Sequence, residues 1–277
     1  RWHRWWIEAR DPDRTGLVAL LHNWESGSDN SIAWDKALAR VPTTTTTVVR
    51  RKDTGHVDAS MRPRDLDYAR YIHLVDCYRA AGWNAQAMWK AAPFKIADVQ
   101  TTAILARATV DLISLSHRYG TSADTTELQA MSAHLTAGLM KQWSQDLGRF
   151  LCVDLVAGTA ITEPSQAGFM PLAALKLPTP MRERIVAEIH RWLDGQKLIC
   201  IPSAPHFAEG FDARRYWRGP IWAIINWYVV EGLRHNGVPD LARDIETGMA
   251  RAIEIAGFDE YFDPMTGAGC GGSAFSW

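Results

Sequence analysis

The chain has 277 residues, with 30 Lys+Arg against 31 Asp+Glu and a formal net charge of −1. Hydrophobic residues make up 47% and charged residues 22%, enough apolar material for a large core and too much for a disordered or collagen-like chain. The balanced charge gives no electrostatic reason to expect nucleic acid or an anionic membrane as partner. No apolar run approaches the roughly 18 residues of a membrane span.

The chain starts Arg1-Trp-His-Arg-Trp-Trp6 rather than at Met, with no basic-then-apolar signal segment, and is expected to be part of something longer. Residues 30–40 are expected to form a short helix. From about residue 63 onward helical periodicity dominates. Pro63 can open a helix whose Tyr68, Tyr71, Ile72, Val75 and Tyr78 recur at three- and four-residue steps, ended by Gly82. A second stripe runs Leu105, Ala108, Leu112, Leu115, Tyr119 to Gly120. A third runs Leu128, Met131, Leu135, Leu139, Trp143. Residues 166–176 suggest another short helix. Thr179-Pro180 is an N-cap followed by proline, ahead of Ile185, Ile189 and Leu193. Gly219-Pro220 is expected to open a helix bearing Ile221, Ile225, Tyr228 and Gly232, stopped by Asn236-Gly237. Pro239 starts one more, with Leu241, Ile245, Met249 and Ile253. Strand signals are thin: Phe150–Leu155 and Leu198–Ile201 could pair locally. Helices recurring every 25–35 residues with long loops between them suggest antiparallel helix pairs.

Cys77, Cys152, Cys200 and Cys270 form no C-x-x-C pair. That argues against a zinc site or a disulfide scaffold and suggests reduced thiols in a cytoplasmic protein. No phosphate-binding loop, nucleophile elbow or H-E-x-x-H is present, and no metal or cofactor is implied. The nine His are scattered; for His22 and His56, near the acidic loops, a hydrogen-bonding role is favoured over metal ligation.

The long loops hold the chemistry. Trp24-Glu-Ser-Gly-Ser-Asp-Asn30 places two carboxylates among glycine and indole. A carboxyl beside indole rings tends to stay protonated and can act as a general acid; an Asx turn capping the next helix fits the same residues. Glu260, between aromatic residues, could activate water as a general base or be a solvated loop acid. Tyr216-Trp-Arg218 and Trp222 combine aromatic faces with a guanidinium, which suits a sugar ring bearing an acid, or equally a core cluster with a structural ion pair. The chain holds 13 Trp, which are costly to expose unless something stacks on them.

Taken together these blocks resemble glycoside hydrolase family 63, in its mannosylglycerate and glucosylglycerate hydrolase branch, and more distantly trehalases. The resemblance rests on four ordered blocks: Trp24 through Ser31 with Trp34-Asp35; Arg62-Pro63 with Asp67-Tyr68 and Arg70-Tyr71; Tyr216-Trp-Arg-Gly-Pro-Ile-Trp222; and Glu260-Tyr-Phe-Asp-Pro264 through Trp277. It implies an all-α (α/α)6 toroid, present here as a single domain over 1–277 but incomplete, lacking N-terminal helices and the extreme C-terminus. It implies an inverting α-glycosidase acting on a glucosyl or mannosyl unit joined to a small acid such as glycerate. Asp29 matches the general acid and Glu260 the general base, separated in inverting enzymes by roughly 6.5–9.5 Å. Trp24, Tyr216 and Trp222 match aromatic residues of the sugar subsite, and Arg62 a residue near the aglycone carboxylate. Arg218 falls inside the third block. Glu25 and Asp35 are expected to orient the acid loop. The chain departs from the family pattern at Ile32-Ala33, where proline is usual, and at Asp98-Val-Gln-Thr-Thr-Ala103. The expected partner is a small carbohydrate, with a homo-oligomer possible through exposed apolar faces near residues 1–20. Two alternatives remain: an α-glucosidase for other oligosaccharides, and a non-catalytic sugar-binding toroid.

Overall fold

A computed structural model describes residues 1–275. About half of the chain is helical. The helices are α1 (Trp2–Arg10), α2 (Asp35–Ala39), α3 (Asp65–Ala80), α4 (Ala85–Ala91), α5 (Val99–Tyr119), α6 (Ser122–Met140), α7 (Thr179–Leu193), α8 (Ala223–His235) and α9 (Pro239–Ala256), joined by short 3-10 turns. Among the described residues the strands are two-residue pieces: β1 (Ala19–Leu20), β2 (Ile96–Ala97), β3 (Trp143–Ser144), β4 (Arg149–Phe150), β5 (Val153–Asp154), β6 (Thr159–Ala160), β7 (Tyr261–Phe262) and β8 (Gly269–Cys270). No helix among these residues is long and apolar enough to cross a membrane.

The helix ends follow local chemistry. Asp98 caps α5 by accepting from the Thr101 amide at 2.8 Å. Thr121 and Asp124 close a reciprocal box at the start of α6. Asn84 caps α4 through the Ala87 amide. Gly82, at φ 60°, turns the chain after α3. The α5–α6 and α8–α9 neighbours pack as hairpins, and α5 and α8 both rest on the 3-10 segment Gln166–Ala173. That segment comes so close to α8 that a Cβ on Gly232 would lie 2.6 Å from the Leu172 side chain. Trp34, Trp192, Tyr71, Phe94, Phe150 and Phe169 are fully buried in the main core. Burying one such tryptophan contributes about 4–6 kcal/mol before the entropy of ordering it is charged.

A small antiparallel sheet, ordered β1-β2-β5-β6, pins the acid loop to the helices. Its register pairs Leu20 with Ile96 and Ile96 with Asp154. The segment that follows β1 is therefore delivered from a fully buried strand.

Several local expectations are corrected. Helix α8 begins at Ala223; Ile221 is extended and bridges both Pro202 and Phe262. Buried backbone can be satisfied by those bridges as well as by a helix. Pro178, not Thr179, is the N-cap of α7. Phe150–Leu155 is divided between β4 and β5, which lie in different sheets, and Leu198–Ile201 forms no strand. The α5 stripe is only half a core face. Burial stops at Thr109, while Leu112, Leu115 and Tyr119 are exposed. Helices α1 and α4 carry no strong sequence signal. On α1, Trp2 and Trp5 are exposed and stacked on each other at 5.3 Å.

Candidate active site

The loop after β1 is built from its own side chains. Glu25 accepts from the Leu21 amide at 2.8 Å and pairs with buried Arg10 at 2.5 Å. His22 accepts the Trp24 amide at Nδ1, so its Nε2–H donates to the Tyr71 carbonyl at 2.9 Å. Burial pushes the His22 pKa down to about 4, in keeping with that neutral tautomer. Gly27, at φ 69°, ends the 3-10 turn. The next residues are held from several sides: Gln166 donates to the Ser28 hydroxyl, Trp34 Nε1 to the Ser28 carbonyl, and Asn23 to the Asp29 carbonyl, each at 2.9 Å. Gln100, in one of the segments that departs from the family pattern, donates to the Ser26 carbonyl at 2.9 Å.

This scaffold leaves the Asp29 carboxyl facing a cavity of about 430 Å³ lined by Trp24, Asp53, Arg62, Pro63, Tyr68 and Tyr216. Burial raises the Asp29 pKa to about 7, against the attraction of Arg62 and with small additions from Asp53 and Glu260. A carboxylic acid in that range can donate a proton near neutrality.

Glu260 reaches the site from the β7–β8 hairpin. Its amide donates to the Gly272 carbonyl, and the Gly272 amide donates back to Oε2 at 3.0 Å. Arg62 grips the same carboxylate with both arms, Nη1–Oε1 at 3.0 Å and Nη2–Oε2 at 2.5 Å. The guanidinium also lies over the Tyr216 ring, 4.8 Å from its centroid. Such a fork fixes the carboxylate in one orientation. Gly271 has φ 77°, and a Cβ there would sit 2.5 Å from Glu260 Oε2, so only glycine lets the hairpin close over the carboxylate. Tyr261 ties this hairpin to the Arg62 turn by donating to the Met61 carbonyl at 2.8 Å.

Of the residues singled out in the sequence, Trp24, Asp29, Arg62 and Tyr216 line one cavity, and Glu260 joins them through Arg62. Trp222 and Arg218 do not line it. Trp222 is buried behind Tyr216; its Nε1 donates to the Tyr216 carbonyl and its ring stacks on Trp217 at 3.8 Å. Arg218 is turned away, paired through both arms with Asp35 at 2.7 Å and bound to the Asn30 carbonyl at 3.4 Å. The Trp217 amide donates to Asn30 Oδ1 at 2.9 Å. The third block therefore presents one aromatic ring and clamps the acid loop with the rest, and Glu25 and Asp35 orient that loop as expected. Tyr216 has φ 45°, a region that costs a non-glycine residue about 1–3 kcal/mol and that the stacked Trp217–Trp222 pair holds in place.

Sequence reasoning missed Asp53 and Tyr68 as cavity residues. Burial alone would raise the Asp53 pKa, but hydrogen bonds and charge from Arg51 outweigh it and hold it low. Arg51 also covers the Tyr68 ring at 4.6 Å. A lone aspartate in a polar loop has no periodic signal. Tyr68 had one, but as a helix-face residue. The cysteines are free. Among the described residues no group of three or more His, Cys, Asp or Glu side chains could hold a metal ion.

The family model described as a mannosylglycerate hydrolase MGH1-like glycoside hydrolase domain matches residues 1–277. The chain is 39% identical over 276 residues to mannosylglycerate hydrolase MGH1 of Selaginella moellendorffii, covering all of this chain and 56% of that protein. It is 31% identical over 287 residues to the glucosylglycerate hydrolase of Mycolicibacterium hassiacum, again over its whole length and 64% of the relative. The crystal structure of the GH63 mannosylglycerate hydrolase from Thermus thermophilus, solved with Tris and D-glycerate, superposes with a TM-score of 0.95 at 39% identity. That match covers 99% of this chain and 66% of the other. The chain thus spans between a little over half and about two thirds of the length of these relatives. On the match over its entire length, the chain belongs to the MGH1-like family of glycoside hydrolase domains.

Proposed function

We propose that this chain carries the catalytic centre of an inverting α-glycoside hydrolase that releases a mannosyl or glucosyl unit from glycerate. Asp29, in its protonated form, gives its proton to the leaving glycosidic oxygen. Glu260, ionised, takes a proton from water attacking the anomeric carbon on the opposite face. The carbon–oxygen bond to the aglycone breaks as the new bond to water forms, and the two carboxyl groups exchange protonation states.

One observation carries this reading. A half-buried acid with its pKa lifted to about 7 and a carboxylate held by an arginine fork are joined through Arg62 at one aromatic-lined cavity. Trp24, Tyr68 and Tyr216 offer faces to sugar C–H groups. Arg62 holds the Glu260 carboxylate through both arms and so fixes where the attacking water is activated. The accompanying fold reading is a single domain forming part of an (α/α)6 toroid, supported by the superposition on two thirds of the Thermus enzyme.

The intact protein should hydrolyse mannosylglycerate or glucosylglycerate and leave maltose-type sugars largely untouched. Asp29→Asn and Glu260→Gln should each keep the fold and lower turnover by orders of magnitude. Proton NMR of the first product formed should show the β-anomer from an α-linked substrate. An α-anomer would exclude inversion, and an Asp29→Asn variant at near-normal rate would remove Asp29 from the mechanism.

A further inference from the structure

A second cavity, of about 190 Å³, lies behind the acid loop and shares no lining residue with the first. The two are back to back. Neighbours in sequence divide between them: Asp29 and Asn30, Pro63 and Arg64, Tyr68 and Asp67, Tyr216 and Arg215, the first of each pair facing the candidate active site.

This second cavity is rich in cationic donors. Arg64, Arg70, Arg215 and Arg218 line it against two carboxylates, Asp35 and Asp67. Asp35 is taken by Arg218, and Asp67 meets Arg70 through one arm at 3.3 Å. Arg215 pairs with Asp212. Arg64 has no ion pair among the described residues and is exposed at the rim.

Three buried polar atoms on the same lining have no hydrogen-bond partner among the described residues: Asn30 Nδ2, Arg70 Nε and the Tyr71 hydroxyl. Tyr71 is 0% and Asn30 4% exposed, so an acceptor reaches these atoms only when the lining side chains shift to admit it. All three can donate, and two can do nothing else. Unpartnered donors in a small, net-positive cavity favour a compact acceptor carrying negative charge.

We propose that this cavity is a binding site for a small oxyanion, either inorganic phosphate or a small carboxylate. The anion accepts from Asn30, Tyr71 and Arg70 and draws in Arg64. Asn30 already ties the acid loop to the third block through the Trp217 amide and Arg218. An anion on its free amide therefore stiffens the loop that carries Asp29.

The test is thermal unfolding and calorimetry of the intact protein with inorganic phosphate, against chloride at equal ionic strength, with acetate as a parallel arm. A saturable rise in the unfolding midpoint is expected, about 3 °C at ten times the dissociation constant. The larger of the phosphate and acetate effects identifies the source. The rise should disappear in Arg64→Gln and Arg70→Gln; Arg64 is exposed, so its variant tests the site even if the Arg70 variant folds poorly. Phosphate and acetate effects that are both no larger than that of chloride, or effects unchanged in the Arg64 variant, overturn the proposal.

Discussion

Asp29→Asn is expected to stabilise the protein while disabling it. Burial lifts the Asp29 carboxyl from 3.8 to about 7. A displaced pKa is worth about 1.4 kcal/mol per pH unit between the two protonation states, so this rise corresponds to about 4 kcal/mol as an upper limit. The sign follows from proton linkage. Below pH 3.8 both folded and unfolded states hold the proton, and Asp29 contributes nothing. Between 3.8 and about 7 the unfolded state releases the proton and the folded state keeps it, so stability falls as pH rises. Above about 7 the folded state carries the buried charge and the full penalty applies. Asparagine has nearly the same shape and does not titrate. The stability difference between variant and parent should be near zero at about pH 4, grow by about 1.4 kcal/mol per pH unit, and level off near pH 8. Urea denaturation of both proteins across that range measures it. A difference that does not change with pH, or a variant less stable than its parent above neutrality, would refute the idea that burial holds this carboxyl neutral. The same proton should appear in kinetics: kcat/KM of the parent should fall about tenfold per pH unit above the Asp29 pKa.

Three further outcomes follow from the geometry. Gly271→Ala places a methyl group 2.5 Å from Glu260 Oε2 at φ 77°, so it should displace the carboxylate from Arg62, lower turnover at least about tenfold and cost about 1–3 kcal/mol of stability; unchanged turnover would show that the hairpin does not set the position of Glu260. Arg218→Lys removes the two-armed pair with Asp35 and the bond to the Asn30 carbonyl. It should lower kcat about tenfold with KM nearly unchanged, because Arg218 holds the acid loop and does not line the cavity; a rise in KM alone would return Arg218 to the substrate. Trp24→Ala opens one wall of the cavity where the ring is 39% exposed. Loss of a stacking face should raise KM by up to about tenfold with a smaller effect on kcat, and steady-state assays with mannosylglycerate would detect it.

Much of the helical frame was legible because its signals are local. Gly82, Gly120, Asn236-Gly237 and Pro239 mark helix ends by backbone geometry that operates whatever lies nearby. The exposed end of the α5 stripe was not legible, since periodicity reports one apolar face and not whether anything covers it. Ile221 was misplaced for a related reason: an apolar residue after Gly-Pro suits a helix start or an extended bridge equally, and Pro202 and Phe262 decided between them.

The site divides in the same way. The residue types, and the placing of Asp29 beside indoles and Glu260 between aromatics, were determined by the sequence and made both carboxylates candidates before any contact was known. Only the tertiary structure decided that Arg62 grips Glu260 across 198 positions, that Arg218 clamps the acid loop 183 positions away at Asp35, and that Trp222 supports Tyr216 from behind. It alone brought Asp53 to the cavity wall. Caps, turns and periodicity act over a few residues and are written in order along the chain. Burial, ion pairing and the displacement of a carboxyl pKa depend on which distant surfaces meet, and that is settled when the helices pack.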